Sequence, residues 1–515
     1  MMNKISVAGV HISTDHFING ERVSSRQTFE DISPIDQAVL GHISAGGLEE
    51  VNMAVASARA AFADWAGLGP PGRGAYLRRL ADIIEARVED LALVETTDNG
   101  SLLEASRLRV MKRGAHNIRF FAEYAEKLKG DEWDTQPANA HNRVIYQPAG
   151  VAALITPWNA PFMLSTWKVG PALAAGNTVV LKPPEWAPLT CSLLADFTAE
   201  AGLPPGVFNL VQGIGEEAGA ALVAHPGVDR ISFTGSVETA QKIGASAARN
   251  LTPVSFELGG KSPLIVFADA DLDLAVRNML EQYDNAGQVC LAGTRLFVEE
   301  SVAVELFERM QAGAQALRLG DPRNPESQVG PLITSAHLKR VHGFVERARQ
   351  AGAKLVYGGR VSETLGGLYY EPTLFTDVPE GAEILQREVF GPVLTFQTFK
   401  DEAEAITLAN NTEYGLAATI FTQDAAKARR ISEAVVAGLV WINCFFVRDL
   451  AQPFGGAKKS GIGREGGMWS FDFYCNIKNI THRHNTFRLM EEIHSTKVVS
   501  EHAKRQSSSQ LSTDH

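Results

Sequence analysis

The feature that most constrains the fold is an alternation of short apolar runs and helical segments between residues 150 and 260. The apolar runs are VAALI (151–155), NTVVLKP (177–183), VFNLV (207–211), RISFTG (230–235) and VSFEL (254–258). Each run is too short for a helix and is typical of a strand that is buried on both faces. The alternation therefore predicts βαβ units, and hence an α/β fold with a parallel sheet covered by helices.

A second α/β domain is predicted further along the chain. The alternation resumes with LIVF (264–267), a helical segment at 272–284 and TRLFV (294–298), and it returns between 393 and 442. Amphipathic helices are predicted before the first sheet, at 47–66, 75–97 and 104–128, from apolar residues at helical spacing.

Charge and cysteine content limit the partners. The 48 basic and 59 acidic residues give a net charge of −11, which argues against a general nucleic-acid binder. We find neither an apolar run of the ~18 residues that a membrane span needs nor a secretory signal, so no membrane association is expected. The four cysteines show no CxxC spacing. We therefore expect no bound metal and a reducing, cytoplasmic compartment.

Glycine motifs give weak evidence for a nucleotide site. GLGPPG (67–72) fits GxGxxG but follows a helix, and we predict a loop there; GIGREGG (461–467) has no strand before it. GIGEEAG (213–219) lies between a strand and a helix, as phosphate binding requires, but carries two glutamates. The turn FTGS (233–236) is a better candidate, with an ordinary helix cap as the alternative.

Three residues are candidates for chemistry. Cys290, in GQVCLAG (287–293), is a candidate nucleophile. Glu257, at the end of an apolar strand, could have a raised pKa and act as a general base. Asn159, in the turn TPWN, offers an uncharged donor for an oxyanion. The alternatives are a buried cysteine, a structural carboxylate and an Asx turn.

Together these residues resemble the NAD(P)-dependent aldehyde dehydrogenase superfamily, over nearly all of residues 15–480. The matching motifs are ITPWN (155–159), LKPPE (181–185), FTGS (233–236), FELGGKS (256–262), GQVCLAG (287–293), EVFGPV (388–393) and PFGGAKKSGIGREGG (453–467). The resemblance implies two parallel-sheet α/β domains and a small β oligomerisation element. The Rossmann-like NAD domain would comprise 1–130 and 147–257, the catalytic domain 258–457, and the oligomerisation element 131–146 and 471–483. Residues 484–515 would form a C-terminal extension with a disordered end.

The resemblance also implies the role of each site residue. Cys290 would be the nucleophile, Glu257 the general base, and Asn159, with the backbone N–H of Cys290, the oxyanion hole. Lys182 and Glu185 would hold the adenosine ribose, and a carboxylate there favours NAD over NADP. The remaining cofactor contacts would be Thr156, Pro157, Trp158, Gly215, Phe233, Gly235, Ser236, Gly259, Glu388 and Phe390.

Within the superfamily, PWNAPFMLSTWK (157–168) and NCFFVRDLAQPFGG (443–456) most resemble 5-carboxymethyl-2-hydroxymuconate semialdehyde dehydrogenases and their 2-hydroxymuconic and 2-aminomuconic relatives. The aldehydes of this group come from aromatic ring cleavage and carry carboxylates. Arg113 and Arg448 would bind the carboxylate, and Trp167 and Phe454 would line the same subsite. Ala451 stands where the group usually has arginine, and that missing arginine could be the second clamp.

Alternative functions remain open at this point. They are an aldehyde dehydrogenase of broad specificity or one for betaine-type or succinate-type semialdehydes, a CoA-acylating enzyme, and a catalytically silent relative. The small-molecule partner would be an aldehyde, and the terminal strand would pair subunits into a homodimer or homotetramer.

Overall fold

The computed structural model describes residues 3–365 and 367–483. The described residues form two compact units, one from residues 3–126 and 148–474 and the other from residues 127–147 and 475–483. The extension at 484–515, with its predicted disorder, lies outside the described residues. No helix in the described ranges is both long and apolar enough to cross a membrane.

The first sheet of the larger unit contains all five strands predicted between residues 150 and 260. These five pair in parallel, and antiparallel strands extend the sheet on both sides. The eight strands lie in the order Gly461–Ile462, Val254–Leu258, Arg230–Gly235, Val151–Ile155, Thr178–Lys182, Phe208–Leu210, His16–Ile18 and Glu21–Val23. The prediction of a parallel α/β sheet is confirmed.

Helices belonging to this half of the unit include Leu48–Gly67, Gly69–Ala86, Val88–Asn99, Pro161–Ala175, Leu189–Glu200, Ala220–Ala224 and Val237–Ala247, with a π-helical turn at Gly215–Gly219 and a 3-10 turn at Ala248–Asn250. The predicted loop at 67–72 is wrong, because one helix ends at Gly67 and the next begins at Gly69. Its two prolines occupy the first turn, where no N–H is needed. The helix predicted at 75–97 is two helices, which meet at Arg87.

The second sheet of the same unit has seven strands, and its apolar runs are buried on both faces. Leu264 and Val266 point into one core cluster, and Ile265 and Phe267 into another. The order is Lys354–Tyr357, Thr373–Thr376, Val393–Phe399, Arg295–Glu299, Pro263–Val266, Ala417–Phe421 and Leu439–Ile442, with only the first pair antiparallel among the described strands. The second α/β sheet is therefore also confirmed.

The remaining elements of the larger unit complete its layers. The segment predicted as a helix at 104–128 is Leu103–Ala105, a π-helical turn Ser106–Val110 and Met111–Lys127. The helices that follow are Leu272–Leu280, Ala303–Ala316, Ser335–Gln350, Glu383–Gln386, Glu402–Asn410, Ala425–Ala434 and Gly467–Tyr474, with 3-10 turns at Glu281–Gly287 and Glu300–Val302. The short strand pairs are Lys4–Val7 with Val10–Ser13, Thr28–Ile32 with Val39–Ser44, and Tyr414–Gly415 with Ala457–Lys458.

The smaller unit is built on a three-stranded sheet, in the order Cys475–Arg483, Ala140–Pro148, Glu132–Thr135. Its last strand begins at Cys475, because residues 471–474 belong to the preceding helix. Asn142, on the central strand, joins all three strands, since its Nδ2 donates to Thr135 Oγ1 at 2.8 Å and its Oδ1 accepts from Thr481 Oγ1 at 2.7 Å. The division into NAD-binding, catalytic and oligomerisation domains stays a prediction.

Candidate active site

One cavity of about 1800 Å³ in the larger unit is lined by every residue that the sequence named for the site. Several of these residues follow neighbouring strands of the first sheet, where the carboxyl ends of parallel strands form a binding edge. The residues are Arg113, Thr156, Pro157, Trp158, Asn159, Trp167, Lys182, Glu185, Gly215, Phe233, Gly235, Ser236, Glu257, Gly259, Cys290, Glu388, Phe390, Arg448 and Phe454.

The loop before Cys290 is held in an unusual backbone conformation. Asn285, Ala286 and Gly287 all have positive φ angles, of 51°, 54° and 69°, which cost free energy in non-glycine residues and are found at functional sites. A Cβ on Gly287 would collide with the carbonyl oxygen of Gly391, so only glycine fits. Gln288 fixes the loop further, because its Nε2 donates to the carbonyl of Asn285 at 3.0 Å.

The Cys290 thiol is uncharged at neutral pH. Burial raises its pKa to about 12, and the carboxyl groups of Glu388 and Glu257 act in the same direction, while Arg448 and the residue's own N–H oppose the rise. A nucleophilic role therefore requires that the proton be removed or that further positive charge come near the sulfur.

Glu257 is a buried carboxyl group without a hydrogen-bond partner. It lies in the strand Val254–Leu258 and is 4 % exposed. Neither of its oxygens has a partner in the described part of the chain. Burial raises its pKa well above the usual range, the charge of Glu465 adds to this, and Lys168, Arg464 and Arg448 oppose it. The raised pKa favours the protonated form of this carboxyl group, which acts as a base only when ionised.

Asn159 is tied to the loop that carries Cys290. The side-chain Nδ2 of Asn159 donates to the backbone carbonyl of Gln288 at 3.0 Å, and the backbone carbonyl of Asn159 accepts from Asn285 Nδ2 at 3.2 Å. An amide group has two N–H donors, so the second can serve an oxygen atom on the bound aldehyde. The geometry thus suits an oxyanion donor that moves together with the sulfur.

The end of the cavity near the first sheet fits a dinucleotide. Glu185 accepts from Lys182 Nζ at 2.7 Å, which places a carboxylate where ribose hydroxyls can donate to it. Ser236 caps the helix Val237–Ala247 by accepting from the N–H of Thr239 at 3.2 Å. The N-terminus of that helix therefore borders the cavity, and its N–H groups favour a phosphate.

Glu388 and Phe390 lie on a segment whose backbone carbonyls accept hydrogen bonds from side chains of one helix. From Ser335–Gln350, Arg340 donates to the carbonyls of Glu388 (2.7 Å) and Val389 (2.5 Å), and His337 Nε2 donates to that of Phe390 at 2.7 Å. Phe390 has a φ of 58°, and its ring lies edge-on to Trp158 with centroids 5.3 Å apart.

The Glu388 carboxyl also closely approaches the first sheet. Its Oε1 accepts from the N–H of Gly260 at 3.2 Å, and burial raises its pKa to about 7. A Cβ on Gly259 would overlap Glu388 Oε2, so any side chain there would displace the carboxyl. The glycine pair thus lets Glu388 reach into the cavity, where it can accept from a ribose.

Two arginines face the other end of the cavity. The guanidinium carbon of Arg448 lies 3.9 Å from the ring centroid of Phe454 and 5.3 Å from that of Trp167. Burial, together with the charge of Arg113, lowers the pKa of Arg448 to about 10. Neither arginine has a carboxylate within 4.0 Å among the residues that the structure describes, and Arg448 Nε is buried without a partner there. Such a pair attracts an anion.

Ala451 is exposed and does not line the cavity. Its N–H donates to Asp449 Oδ1 at 2.7 Å. The two arginines that do line the cavity, Arg113 and Arg448, form their pair without position 451. The alanine at position 451, where the related dehydrogenases usually have arginine, thus does not disrupt the pair formed by Arg113 and Arg448.

Sequence reasoning missed four residues near the site. His337 and Arg340 act on main-chain carbonyls and had no motif to reveal them. Lys168 and Glu465 form a buried ion pair, with Nζ and Oε1 2.7 Å apart. A signal for that pair existed, because Lys168 is the one basic residue in the apolar segment Pro161–Ala175. Within the described ranges, no group of three or more His, Cys, Asp or Glu could hold a metal ion.

Comparison with known proteins gives one family throughout. The model of the aldehyde dehydrogenase family matches residues 22–480. The 2-hydroxymuconic semialdehyde dehydrogenase of Pseudomonas sp. (strain CF600) is 43% identical over 477 residues, which are 90% of this chain and 98% of that protein.

Solved structures agree with this match. The crystal structure of HpcC from Thermus thermophilus has a TM-score of 0.89 and 45% identity, and the match covers 91% of this chain and 93% of that one. The betaine aldehyde dehydrogenase of Staphylococcus aureus, solved in complex with NAD+, has a TM-score of 0.90 and 38% identity, with 92% and 96% covered.

Proposed function

The chain belongs to the aldehyde dehydrogenase family and is an NAD-dependent aldehyde dehydrogenase, and we propose that its substrate is a carboxylated semialdehyde from aromatic ring cleavage. 5-Carboxymethyl-2-hydroxymuconate semialdehyde and 2-hydroxymuconic semialdehyde represent this class. The observation that carries the proposal is the pair of arginines, without carboxylate partners in the described chain, that faces the cavity.

The catalytic roles that we propose follow from the geometry. The Cys290 thiol gives its proton to the ionised Glu257 carboxylate, its sulfur bonds to the aldehyde carbon, and the negative charge on the aldehyde oxygen is stabilised by Asn159 Nδ2 and by the N–H of Cys290. NAD, when bound, would supply the acceptor for the hydride of this carbon. After passing the first proton to solvent, Glu257 takes a proton from the water that hydrolyses the Cys290 thioester and gives it to the departing sulfur, which releases the carboxylic acid and restores the thiol.

The position of Arg448 supports an anionic substrate over a cationic one. Aromatic faces attract cations, and a betaine-type substrate would need such faces to be open. Here the guanidinium of Arg448 already lies over Phe454 and Trp167, so a second cation would meet its charge. A carboxylate in the same place would gain charge-assisted hydrogen bonds.

Cofactor preference rests on Glu185. A carboxylate that accepts from the ribose hydroxyls repels the 2′-phosphate of NADP. Glu185 lines the cavity and is held by Lys182. We therefore include a preference for NAD over NADP in the proposal.

A panel of aldehydes tests the proposed substrate class. NADH formation would be measured with 2-hydroxymuconic semialdehyde, 5-carboxymethyl-2-hydroxymuconate semialdehyde, succinic semialdehyde, betaine aldehyde and hexanal. We expect the highest kcat/KM for a ring-cleavage semialdehyde. Equal values across the panel would establish broad specificity instead, and a requirement for CoA would establish an acylating enzyme.

Arg113→Ala tests the arginine pair directly, with Arg109→Ala as its matched control. Arg109 also lines the cavity but is exposed and pairs with Asp284 at 3.2 Å. The expected result is a marked loss of kcat/KM for the semialdehyde in Arg113→Ala that exceeds any loss in Arg109→Ala. Equal kinetics for the two variants would remove Arg113 from the substrate site.

Self-association is proposed through the smaller unit. The strand Cys475–Arg483 is exposed along most of its length, including Ile477 (54 %) and Ile480 (37 %). An exposed strand of this kind is a template for pairing with another chain. Light scattering coupled to size exclusion should show a dimer or tetramer, and a monomer at micromolar concentration would contradict this.

A further inference from the structure

We propose that Glu465 is a positioning residue for the carboxylate subsite, because it holds both aromatic rings on which the Arg448 guanidinium lies. The inference rests on the proposed function of Arg448 and extends it to a buried residue at the cavity wall whose side chain forms no ion pair with that arginine within 4.0 Å in the described chain. Under this proposal, the buried carboxylate of Glu465 contributes to the specificity for anionic over neutral substrates.

The first ring is held through the backbone. Phe454 and Glu465 form an isolated antiparallel bridge, in which each N–H donates to the other's carbonyl at 2.7 Å. Phe454 is 6 % exposed. The backbone of Phe454 is thus held by the backbone of residue 465, whatever side chain stands at 465.

The second ring is held through the side chain. The indole N–H of Trp167 donates to Glu465 Oε2 at 2.6 Å, and an ionised acceptor makes this bond stronger than a neutral one. The Trp167 and Phe454 rings stand nearly perpendicular, at 85°, with centroids 6.4 Å apart. Together they form a corner, and Arg448 lies in it at 5.3 Å and 3.9 Å from the two centroids.

The carboxylate itself has a single orientation. Glu465 Oε1 accepts from Lys168 Nζ at 2.7 Å and from Ser232 Oγ at 3.0 Å, while Oε2 accepts from the indole. Lys168 also donates to Ser232 Oγ at 2.8 Å. Since both oxygens are engaged and the pair is buried, rotation of the carboxylate would break a charged hydrogen bond. The orientation of the Trp167 ring is therefore set by the carboxylate of a buried ion pair.

The corner matters because, in the described chain, Arg448 has no ion pair within 4.0 Å to fix its orientation. Its Nε has no hydrogen-bond partner in the described chain, so the aromatic faces fix the direction in which its donors point. A small rotation of Trp167 would turn the guanidinium away from the carboxylate that it is placed to bind, and geometry of this kind decides bidentate recognition.

Trp167→Phe is the main test. It keeps an aromatic ring under Arg448 and removes the N–H that Glu465 accepts, together with part of the indole's area. The quantity to measure is the ratio of kcat/KM for 2-hydroxymuconic semialdehyde to that for hexanal. We expect this ratio to fall about tenfold, through KM for the semialdehyde, as for one lost hydrogen bond to a charged group. An unchanged ratio would overturn the proposal.

A double-mutant cycle with Arg448→Met separates positioning from a general structural effect. If Trp167 acts through Arg448, Trp167→Phe should not change the ratio further in the Arg448→Met background. Equal effects in both backgrounds would overturn the inference. If Arg448→Met alone leaves the ratio unchanged, the proposed function fails; if it lowers the ratio while Trp167→Phe does not, only the inference fails.

Glu465→Gln gives a second and independent measurement. The amide keeps an acceptor but no charge, so it cannot satisfy the Lys168 ammonium and the indole as the carboxylate does. A folded variant should show the same fall in the ratio as Trp167→Phe. A loss shared equally by the semialdehyde and hexanal would instead place Glu465 in a step common to both, and would overturn the positioning role.

Discussion

Replacing Arg448 by methionine should lower the preference for a carboxylated aldehyde over a neutral one by about 30-fold to 150-fold. Methionine keeps an unbranched stem over Phe454 and removes the charge and its donors. Arg448 is the better of the two cavity arginines for this test, because its guanidinium contacts both aromatic rings.

The magnitude follows from the cost of burying this cation. Its pKa falls from 12.5 to about 10, first through burial and then through the charge of Arg113. At about 1.4 kcal/mol per pKa unit, this is a penalty of about 3 kcal/mol on the charged form. A bound carboxylate stabilises the charged form and so offsets this penalty. A hydrogen bond to a charged group contributes about 1.5–3 kcal/mol, and about 2–3 kcal/mol corresponds to the fold-changes above.

The assay must compare two aldehydes, because Arg448 also acts on the reacting groups. Its charge lowers the pKa of Cys290 and of Glu257, so Arg448→Met should slow every aldehyde to some extent. NADH absorbance at fixed pH gives kcat/KM for 2-hydroxymuconic semialdehyde and for hexanal, and their ratio cancels the shared loss. Arg448→Lys, which keeps the charge but not the two parallel donors, should fall between the wild type and Arg448→Met. A change in the ratio of less than about threefold in Arg448→Met would refute the reasoning.

Four further outcomes are expected. Asn159→Ala should lose about 10²–10³ in kcat while still binding NAD in a fluorescence titration; near-wild-type turnover would contradict its role. Because a base acts in its ionised form and burial holds the pKa of Glu257 above its usual range, kcat should rise with pH through that raised pKa; a profile that falls over the neutral range would be inconsistent with this. Arg340→Ala removes the hydrogen bonds to two carbonyls of the segment that carries Glu388, so KM for NAD should rise about tenfold in steady-state titrations. An unchanged KM would show that Arg340 does not hold this segment for NAD binding. Glu185→Gln should lower the ratio of kcat/KM for NAD to kcat/KM for NADP. An unchanged ratio would mean that a residue other than Glu185 sets the cofactor preference.

The five parallel strands between residues 150 and 260 were predictable because most of their residues are buried, which makes hydrophobicity a sufficient signal. The boundaries of the helices were less predictable from the sequence. In GLGPPG the prolines suggested a loop, yet proline is tolerated in the first helical turn, and the helix from Gly69 follows directly. The break at Arg87 follows from its non-helical φ of −112° and ψ of 17°, which no local pattern in the sequence indicated.

The site was predictable only where motifs carried it. Glu257 and Cys290 are distant in the sequence, and they share one cavity because the chain passes from the first sheet to the second between them. The hydrogen bonds from His337 and Arg340 go to main-chain carbonyls, which any residue type offers. The same holds for the bridge between Phe454 and Glu465. Such contacts leave no trace in residue identity, so only the fold reveals them.

The raised pKa of the Cys290 thiol affects how the free protein reacts with electrophiles. Semialdehydes and other electrophiles combine with cysteines in proportion to the fraction that is ionised. Because burial raises the pKa of Cys290 to about 12, a smaller fraction of this thiol is ionised at neutral pH than in an ordinary cysteine. The free protein should therefore react more slowly with electrophiles at this sulfur than an exposed thiol does.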